Sequence, residues 1–96
     1  MRVIWSPLAD EQADEVFAYI AADDSAAAIA WLERLLERVA SLARFPDSGR
    51  VVPEFERDDL RELIIGSYRV IYRRQAACVE IATIRHGARE LDSGAT

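Results

Sequence analysis

The chain has 96 residues, of which 51% are hydrophobic and 30% are charged, and its formal net charge is −5 at pH 7. A chain of this length forms one domain, and no stretch approaches the roughly 20 consecutive apolar residues that a membrane span needs. All 12 basic residues are arginine. The excess of acidic residues argues against a protein that binds nucleic acid through charge alone.

Cysteine and histidine each occur once, as Cys78 and His86. They offer no internal disulfide and no zinc-like ligand spacing, so we expect no metal and no cofactor. A single cysteine suits a reducing compartment, and we expect a cytoplasmic protein. The opening MRVIWSPLADEQ turns acidic after four strand-like residues and is not typical of a signal peptide.

The first half of the chain predicts a strand and two helices. Arg2–Trp5 is a short apolar run, and Ser6-Pro7 has the cap and the proline that begin a helix. Apolar residues then recur at helical spacing over Ala9–Ile20 and again over Ala28–Ala43. The Asp23-Asp24-Ser25 link is short, so we expect the two helices to be antiparallel neighbours.

The apolar stripe of the second helix is expected to pack on the first helix and on a sheet. Trp31 lies just off its centre and is expected to be half-buried at its edge. The acids of the first helix are expected to be solvated rather than to form a metal or acid–base site. The stripe consists of Ala28, Leu32, Leu35, Leu36, Val39, Leu42 and Ala43.

Leu60–Arg74 predicts a β-hairpin, because two apolar runs flank a Gly66-Ser67 connection that suits a type II′ turn. Arg50–Asp59 contains Pro53 and is interpreted as a loop or a weak edge strand. Val79–Ile84 predicts a further strand. If residue 65 faces 68, one hairpin side carries Arg61, Leu63, Ile65, Tyr68, Val70 and Tyr72, and the other carries Leu60, Glu62, Ile64, Arg69, Ile71 and Arg73.

The predicted order β-α-α-β-β-β describes an α+β fold, with an N-terminal helical hairpin on one face of a small, mainly antiparallel sheet. On the uncovered face we expect an apolar patch rimmed by arginine, which would mark a binding surface. The patch comprises Leu60, Ile64 and Ile71, with Val79 or Ile81 according to register. The alternative is that the C-terminal tail, of which 92–96 is expected to be disordered, folds over it.

The arginines of the hairpin allow two interpretations. Arg69 and Arg73 could pair with Glu62 and Glu80 across strands, or they could contact a partner. Arg85 and Arg89, which follow the last predicted strand, lack a same-strand acid and are better candidates for a partner's carboxylates.

Several segments together resemble the ParE branch of the RelE/ParE superfamily of bacterial toxin–antitoxin toxins, over about residues 2–91. They are Trp5-Ser6-Pro7 with the first helix, Phe45-Pro46 through Gly49-Arg50, the Tyr68–Arg73 strand, and His86-Gly87-Ala88-Arg89. The resemblance implies a single RelE/ParE-like domain.

The resemblance also implies a function: a toxin without catalytic residues that inhibits DNA gyrase. It implies a ParD-like antitoxin with a ribbon-helix-helix N-terminus and an acidic, amphipathic C-terminal segment that lies across the sheet in a hetero-oligomer. Neither membrane nor sequence-specific DNA binding by this chain is expected. The expected antitoxin- or target-binding residues are Leu60, Arg61, Ile64, Arg69, Ile71, Arg73, Arg85, His86 and Arg89.

Two alternatives stay open. The RelE branch cleaves messenger RNA on the ribosome, and here Arg69 matches its hairpin arginine while Arg61 could replace a hairpin lysine. However, Gly87 occupies the position of a RelE arginine, and no tyrosine follows Tyr72. His86 could act as an acid or base, or His86-Gly87 could be a turn in which glycine has positive φ. A non-toxic interaction module of the same fold is the second alternative.

Overall fold

Two helices and a five-stranded sheet form residues 1–87, the part of the chain that this computed structural model describes. In chain order the elements are β1 (Arg2–Trp5), α1 (Pro7–Ala21), α2 (Ser25–Ser41), β2 (Arg50–Val51), β3 (Leu60–Ile65), β4 (Tyr68–Arg74) and β5 (Cys78–His86). The sheet order is β1-β5-β4-β3-β2, with β1 parallel to β5 and every other pair antiparallel. The predicted α+β fold is confirmed, with a two-residue strand added at one edge, while the tail at 92–96 lies outside the described residues.

Both helices begin at the predicted caps. The Ser6 hydroxyl accepts a hydrogen bond from the Ala9 N–H at 3.0 Å, and the Asp24 carboxylate accepts one from the Ala27 N–H at 3.1 Å. The Ser6 hydroxyl also donates to the Ala82 carbonyl at 2.9 Å. The cap of α1 therefore also attaches this helix to β5. Neither helix within residues 1–87 is long and apolar enough to cross a bilayer.

The hairpin of β3 and β4 has the predicted register, with Ile65 opposite Tyr68 and Leu63 opposite Val70. Gly66 has a φ of 61°, and a positive φ at the first turn residue alone agrees with the predicted type II′ turn. Gly87 does not have positive φ. Its N–H instead donates to the Ser67 carbonyl at 2.6 Å, and a Cβ there would lie 3.0 Å from that oxygen.

The helices cover one face of the sheet, here called the inner face. The predicted half-buried position of Trp31 is wrong, because its side chain is 6% exposed and its indole N–H donates to the Ile65 carbonyl at 3.2 Å. The prediction that Leu36 belongs to the packed stripe is also wrong, since Leu36 is 52% exposed. The buried core consists of Ala9, Ala13, Trp31, Leu35, Val39, Leu42, Leu63, Ile65, Val70, Tyr72, Val79, Ile81 and Ile84.

Candidate functional site

The face of the sheet away from the helices, here called the outer face, is half covered by the chain itself. The loop between β2 and β3 places Val52 and Phe55 over Leu60 and Ile71, and these residues form a second apolar cluster. Leu60 and Ile71 are 8% and 4% exposed. The prediction that both lie on an open patch is therefore wrong, because a loop without helix or strand periodicity covers them.

The register removes two further residues from the predicted patch. Arg73 faces Glu80 across β4 and β5, so alternation along β5 turns Val79 and Ile81 to the inner face, where they belong to the main core. Ile64 is the predicted patch residue that stays on the surface, at 43% exposed.

A buried ionic network ties the covering loop to the sheet. The Glu62 side chain is 0% exposed. Its carboxylate accepts hydrogen bonds from Arg69 Nε at 2.7 Å and from Arg50 Nε at 2.5 Å. The other end of the Arg69 guanidinium donates two bonds to the Glu54 carboxylate, at 2.7 and 2.8 Å. Paired, hydrogen-bonded charges of this kind avoid the cost of burying a lone ion.

These contacts support the structural interpretation of Arg69, while its contact with a partner stays a prediction. Its hydrogen bond with Glu54, and then those with Glu62, raise the pKa of Arg69 above its ordinary value against the opposing effect of burial. The predicted pairing of Arg69 with Glu62 is thus confirmed, while the role of Glu54 was missed. Arg73 forms no ion pair with Glu80 among residues 1–87, although the two lie opposite each other.

Arg61, in β3, belongs to a different cluster, which joins the loop that follows α2 to the loop that precedes β3. Its guanidinium donates to the carbonyls of Gly49, at 3.0 Å, and Asp58, at 3.0 Å, and pairs with the Asp58 carboxylate at 2.6 Å. Beside it, the Tyr72 hydroxyl donates to the Pro46 carbonyl at 2.7 Å and accepts from the Gly49 N–H at 3.0 Å. These contacts give Arg61 a structural role in holding two loops together.

An open groove of about 850 Å³ remains at the hairpin end of the outer face. We call it the outer-face groove. Strand pairing places Ile64, Arg69 and Arg85 in one row across three strands. Arg85 is exposed and forms no ion pair with another residue of the described range. The groove is lined by Arg50, Pro53, Glu54, Ile64, Gly66, Ser67, Arg69, His86 and Gly87.

The family model described as "ParE toxin of type II toxin-antitoxin system, parDE" matches residues 3–91. The chain belongs to the ParE toxin family. The fold of this ParE-family chain is similar to a solved structure entitled "Chromosomal ParDE TA system from P. aeruginosa", with a TM-score of 0.71 and 19% identity over 90% of this chain and 95% of that one. None of the curated proteins matches the sequence.

The structure separates the nine predicted binding residues of this ParE-family chain into groups. Ile64, Arg69 and His86 line the outer-face groove, and the His86 ring packs edge-on against Tyr68 with centroids 5.4 Å apart. Arg73 and Arg85 are exposed on the same face. Three of the predicted residues do not line the groove, because Leu60 and Ile71 are buried below the loop and Arg61 braces two loops. Arg89 lies outside the described residues.

Arg50 and Glu54 line the groove but were not predicted as site residues. A signal for them existed, because Arg50 and Glu54 flank Val51-Val52-Pro53, at the end of β2 and the start of the loop that contains Phe55. Three large apolar residues in a short loop favour packing against a sheet, which brings the neighbouring charges with them. Within the described range, no three His, Cys, Asp or Glu side chains are grouped closely enough to hold a metal ion.

Proposed function

We propose that this chain is the toxin of a type II toxin–antitoxin pair, that it acts in the cytoplasm by inhibiting DNA gyrase, and that a ParD-like antitoxin neutralises it. The observation that carries the proposal is the match of the ParE toxin family to residues 3–91. Gyrase as the target and ParD as the type of antitoxin are what membership of this family suggests.

The outer-face groove supports the antitoxin part of the proposal. Its exposed apolar group is Ile64, and the cations Arg73 and Arg85 lie on the same face. An amphipathic acidic segment could place an apolar side chain on Ile64 and its carboxylates on these arginines. Because the covering loop already buries Leu60 and Ile71, the proposed contact is narrower than a whole sheet face.

The surroundings of Arg69 support a binding protein over a ribonuclease. An arginine that stabilises a scissile phosphate must present its charge to the substrate. Arg69 is 5% exposed and is engaged by the Glu54 and Glu62 carboxylates. Two negative charges beside one guanidinium would repel a phosphate, and the position of a further RelE arginine is held by Gly87.

A supercoiling assay tests the target. Purified chain is incubated with gyrase, relaxed plasmid and ATP, and a quinolone serves as the positive control for inhibition. We expect loss of supercoiling and accumulation of cleaved plasmid, both reversed when the cognate antitoxin is added first. Unimpaired supercoiling at saturating toxin would contradict the proposal.

The same preparation is tested for ribosome-dependent cleavage of messenger RNA. Cleavage that disappears in Arg69→Ala would favour the RelE-like alternative. If gyrase and messenger RNA are both unaffected, while the antitoxin still binds, the chain is a non-toxic interaction module.

A further inference from the structure

A second groove, of about 350 Å³, lies between α1 and α2 on the helix side of the sheet. We call it the helix groove. Its apolar lining includes Trp5, Leu32, Leu35 and Leu36, and the carboxylates of Asp10 and Asp14 line it from α1. Within the part of the chain that the structure describes, it shares no lining residue with the outer-face groove.

α2 carries more apolar side chains on this side than the hydrophobic core buries. Leu36, which lines the groove, is 52% exposed, and Ile29, which lies outside the lining, is 53% exposed. They are seven residues apart, so they lie on one flank of α2 about two turns, or roughly 10.5 Å, from each other. Leu32 is half-buried between them. Together they form an apolar strip that α1 and the sheet leave partly open to solvent.

The charge beside this strip is negative. α1 carries four acids and no base, and residues 7–41 hold eight acids against two arginines, a net charge of −6. Residues 50–87 hold seven arginines against six acids, a net charge of +1. Arg34 lines a different cavity, next to Tyr68, and Arg38 follows it by one turn on the same flank. Within residues 1–87, Asp10 and Asp14 have no ion-pair partner.

We propose that the helix groove docks a basic amphipathic helix of a partner protein. Its apolar residues would pack on Ile29 and Leu36 as a third helix beside α1 and α2, and its lysines or arginines would face Asp10 and Asp14. A second copy of this chain would bring acids against acids, and nucleic acid would bring phosphates, so both are disfavoured by charge. The proposal does not depend on gyrase or on the antitoxin.

The position of the groove has a consequence for assembly. The antitoxin is proposed to bind the outer face, whereas the helix groove lies on the inner, helix-covered side. Among residues 1–87 the two sites have no lining residue in common, so we expect a basic partner helix to bind while the antitoxin occupies the outer face.

The test is a heteronuclear NMR titration of the full chain with a synthetic amphipathic peptide of roughly 14 residues, about four helical turns. The peptide has leucine at helical spacing and lysine elsewhere, and a second peptide replaces every lysine by glutamate. We expect the lysine peptide to shift the amide signals of Asp10, Asp14, Leu32 and Leu36. We expect no binding of the glutamate peptide.

Matched variants localise the contact. Leu36→Ala is expected to weaken binding about tenfold, whereas Leu8→Ala, at a leucine that is also 52% exposed but outside the groove, leaves it unchanged. The double variant D10N/D14N is expected to weaken binding about fivefold at low salt, and less at high salt. Its control, E11Q/E15Q, removes the same charge outside the groove and leaves binding unchanged.

Three outcomes would overturn the proposal. The first is equal weakening by a groove variant and its control, which would indicate diffuse attraction to an acidic protein. The second is equal binding of the glutamate peptide. The third is a concentration-dependent dimer that buries Leu36, which would make a second copy the occupant. Circular dichroism of each variant confirms that the helices are retained.

Discussion

The Arg69 guanidinium holds the Glu54 carboxylate through two hydrogen bonds, of 2.7 and 2.8 Å. Glu54 belongs to the loop that covers the outer face, and Arg69 belongs to β4, so this pair fixes the loop to the sheet. The same guanidinium contacts Glu62, whose side chain is 0% exposed. A loop held in this way determines how much of the outer face a partner can reach.

Removing the buried carboxylate should be far more damaging than removing the loop carboxylate. We expect Glu62→Gln to lower the free energy of unfolding by about 3 kcal/mol, because Arg69 and Arg50 lose a desolvated counter-charge. Glu54→Gln should cost about 1–2 kcal/mol, because Arg69 keeps Glu62. Urea unfolding measures both. Arg57→Gln, in an exposed pair, is the control, and a loss for Glu62→Gln as small as for this control would contradict the prediction.

Replacement by aspartate should have different effects on stability at two isoleucines of the outer face. Ile64→Asp should cost no more than about 1 kcal/mol of stability and should weaken antitoxin binding at least tenfold, because Ile64 is 43% exposed in the proposed contact. Ile71→Asp should cost about 4 kcal/mol or prevent folding, because it buries a charge below Phe55. Urea unfolding and calorimetric titration with the antitoxin measure these effects. A stable Ile71→Asp variant would show that the loop does not seal the cluster.

Two glycines should differ in their tolerance of alanine. A Cβ at Gly49 would lie 2.7 Å from the Glu62 carbonyl oxygen and 2.7 Å from the Tyr72 hydroxyl, so Gly49→Ala should cost at least about 3 kcal/mol. A Cβ at Gly66 would make only an ordinary contact with Trp31 Cδ1, at 3.5 Å, but the φ of 61° is strained for alanine. Gly66→Ala should therefore cost only about 1–2 kcal/mol. Thermal unfolding ranks the two. Equal melting temperatures would mean that the turn at Gly49 relaxes to accept the methyl group.

The buried Tyr72 hydroxyl should make the protein sensitive to alkali. Burial raises the pKa of Tyr72 above its ordinary value of 10.0. The native state therefore holds this proton to higher pH than the unfolded chain does. The resulting stability is complete below pH of about 10 and is lost as pH rises further. Burial raises the pKa of Tyr68 as well, so both tyrosines contribute to this pH-dependent stability.

The variant Tyr72→Phe separates the contribution of Tyr72 to this pH-dependent stability from that of Tyr68. At pH 8 it should cost about 1–2 kcal/mol, because the Pro46 carbonyl and the Gly49 N–H lose their partner. Between pH 10 and 11 its stability should then fall less steeply than that of the wild type, with the Tyr68 share remaining. Urea unfolding at each pH measures this, and Tyr19→Phe, at a 74% exposed ring, should leave stability at pH 8 unchanged. Parallel pH profiles for wild type and Tyr72→Phe would refute the assignment.

Local rules were sufficient for the elements and for part of the site. The Ser6 and Asp24 caps, the hairpin register around Gly66 and the pairing of Glu62 with Arg69 all depend on neighbours in sequence or on alternation along two joined strands. Such features follow from backbone geometry within a few residues. The family resemblance was also readable from short motifs in order, and the family match confirms it.

What the sequence by itself determined is therefore the order of the helices and main strands, the register of the hairpin around Gly66, and the family. Only the tertiary structure decided that Phe55 covers Ile71, that Glu54 accepts two hydrogen bonds from the Arg69 guanidinium, and that Leu36 stays on the surface. The physical reason is that burial depends on which distant segment packs against a residue. The sequence of a loop without periodicity does not indicate where the loop will pack. The apolar stripe of a helix likewise does not indicate how much of its width other segments will cover.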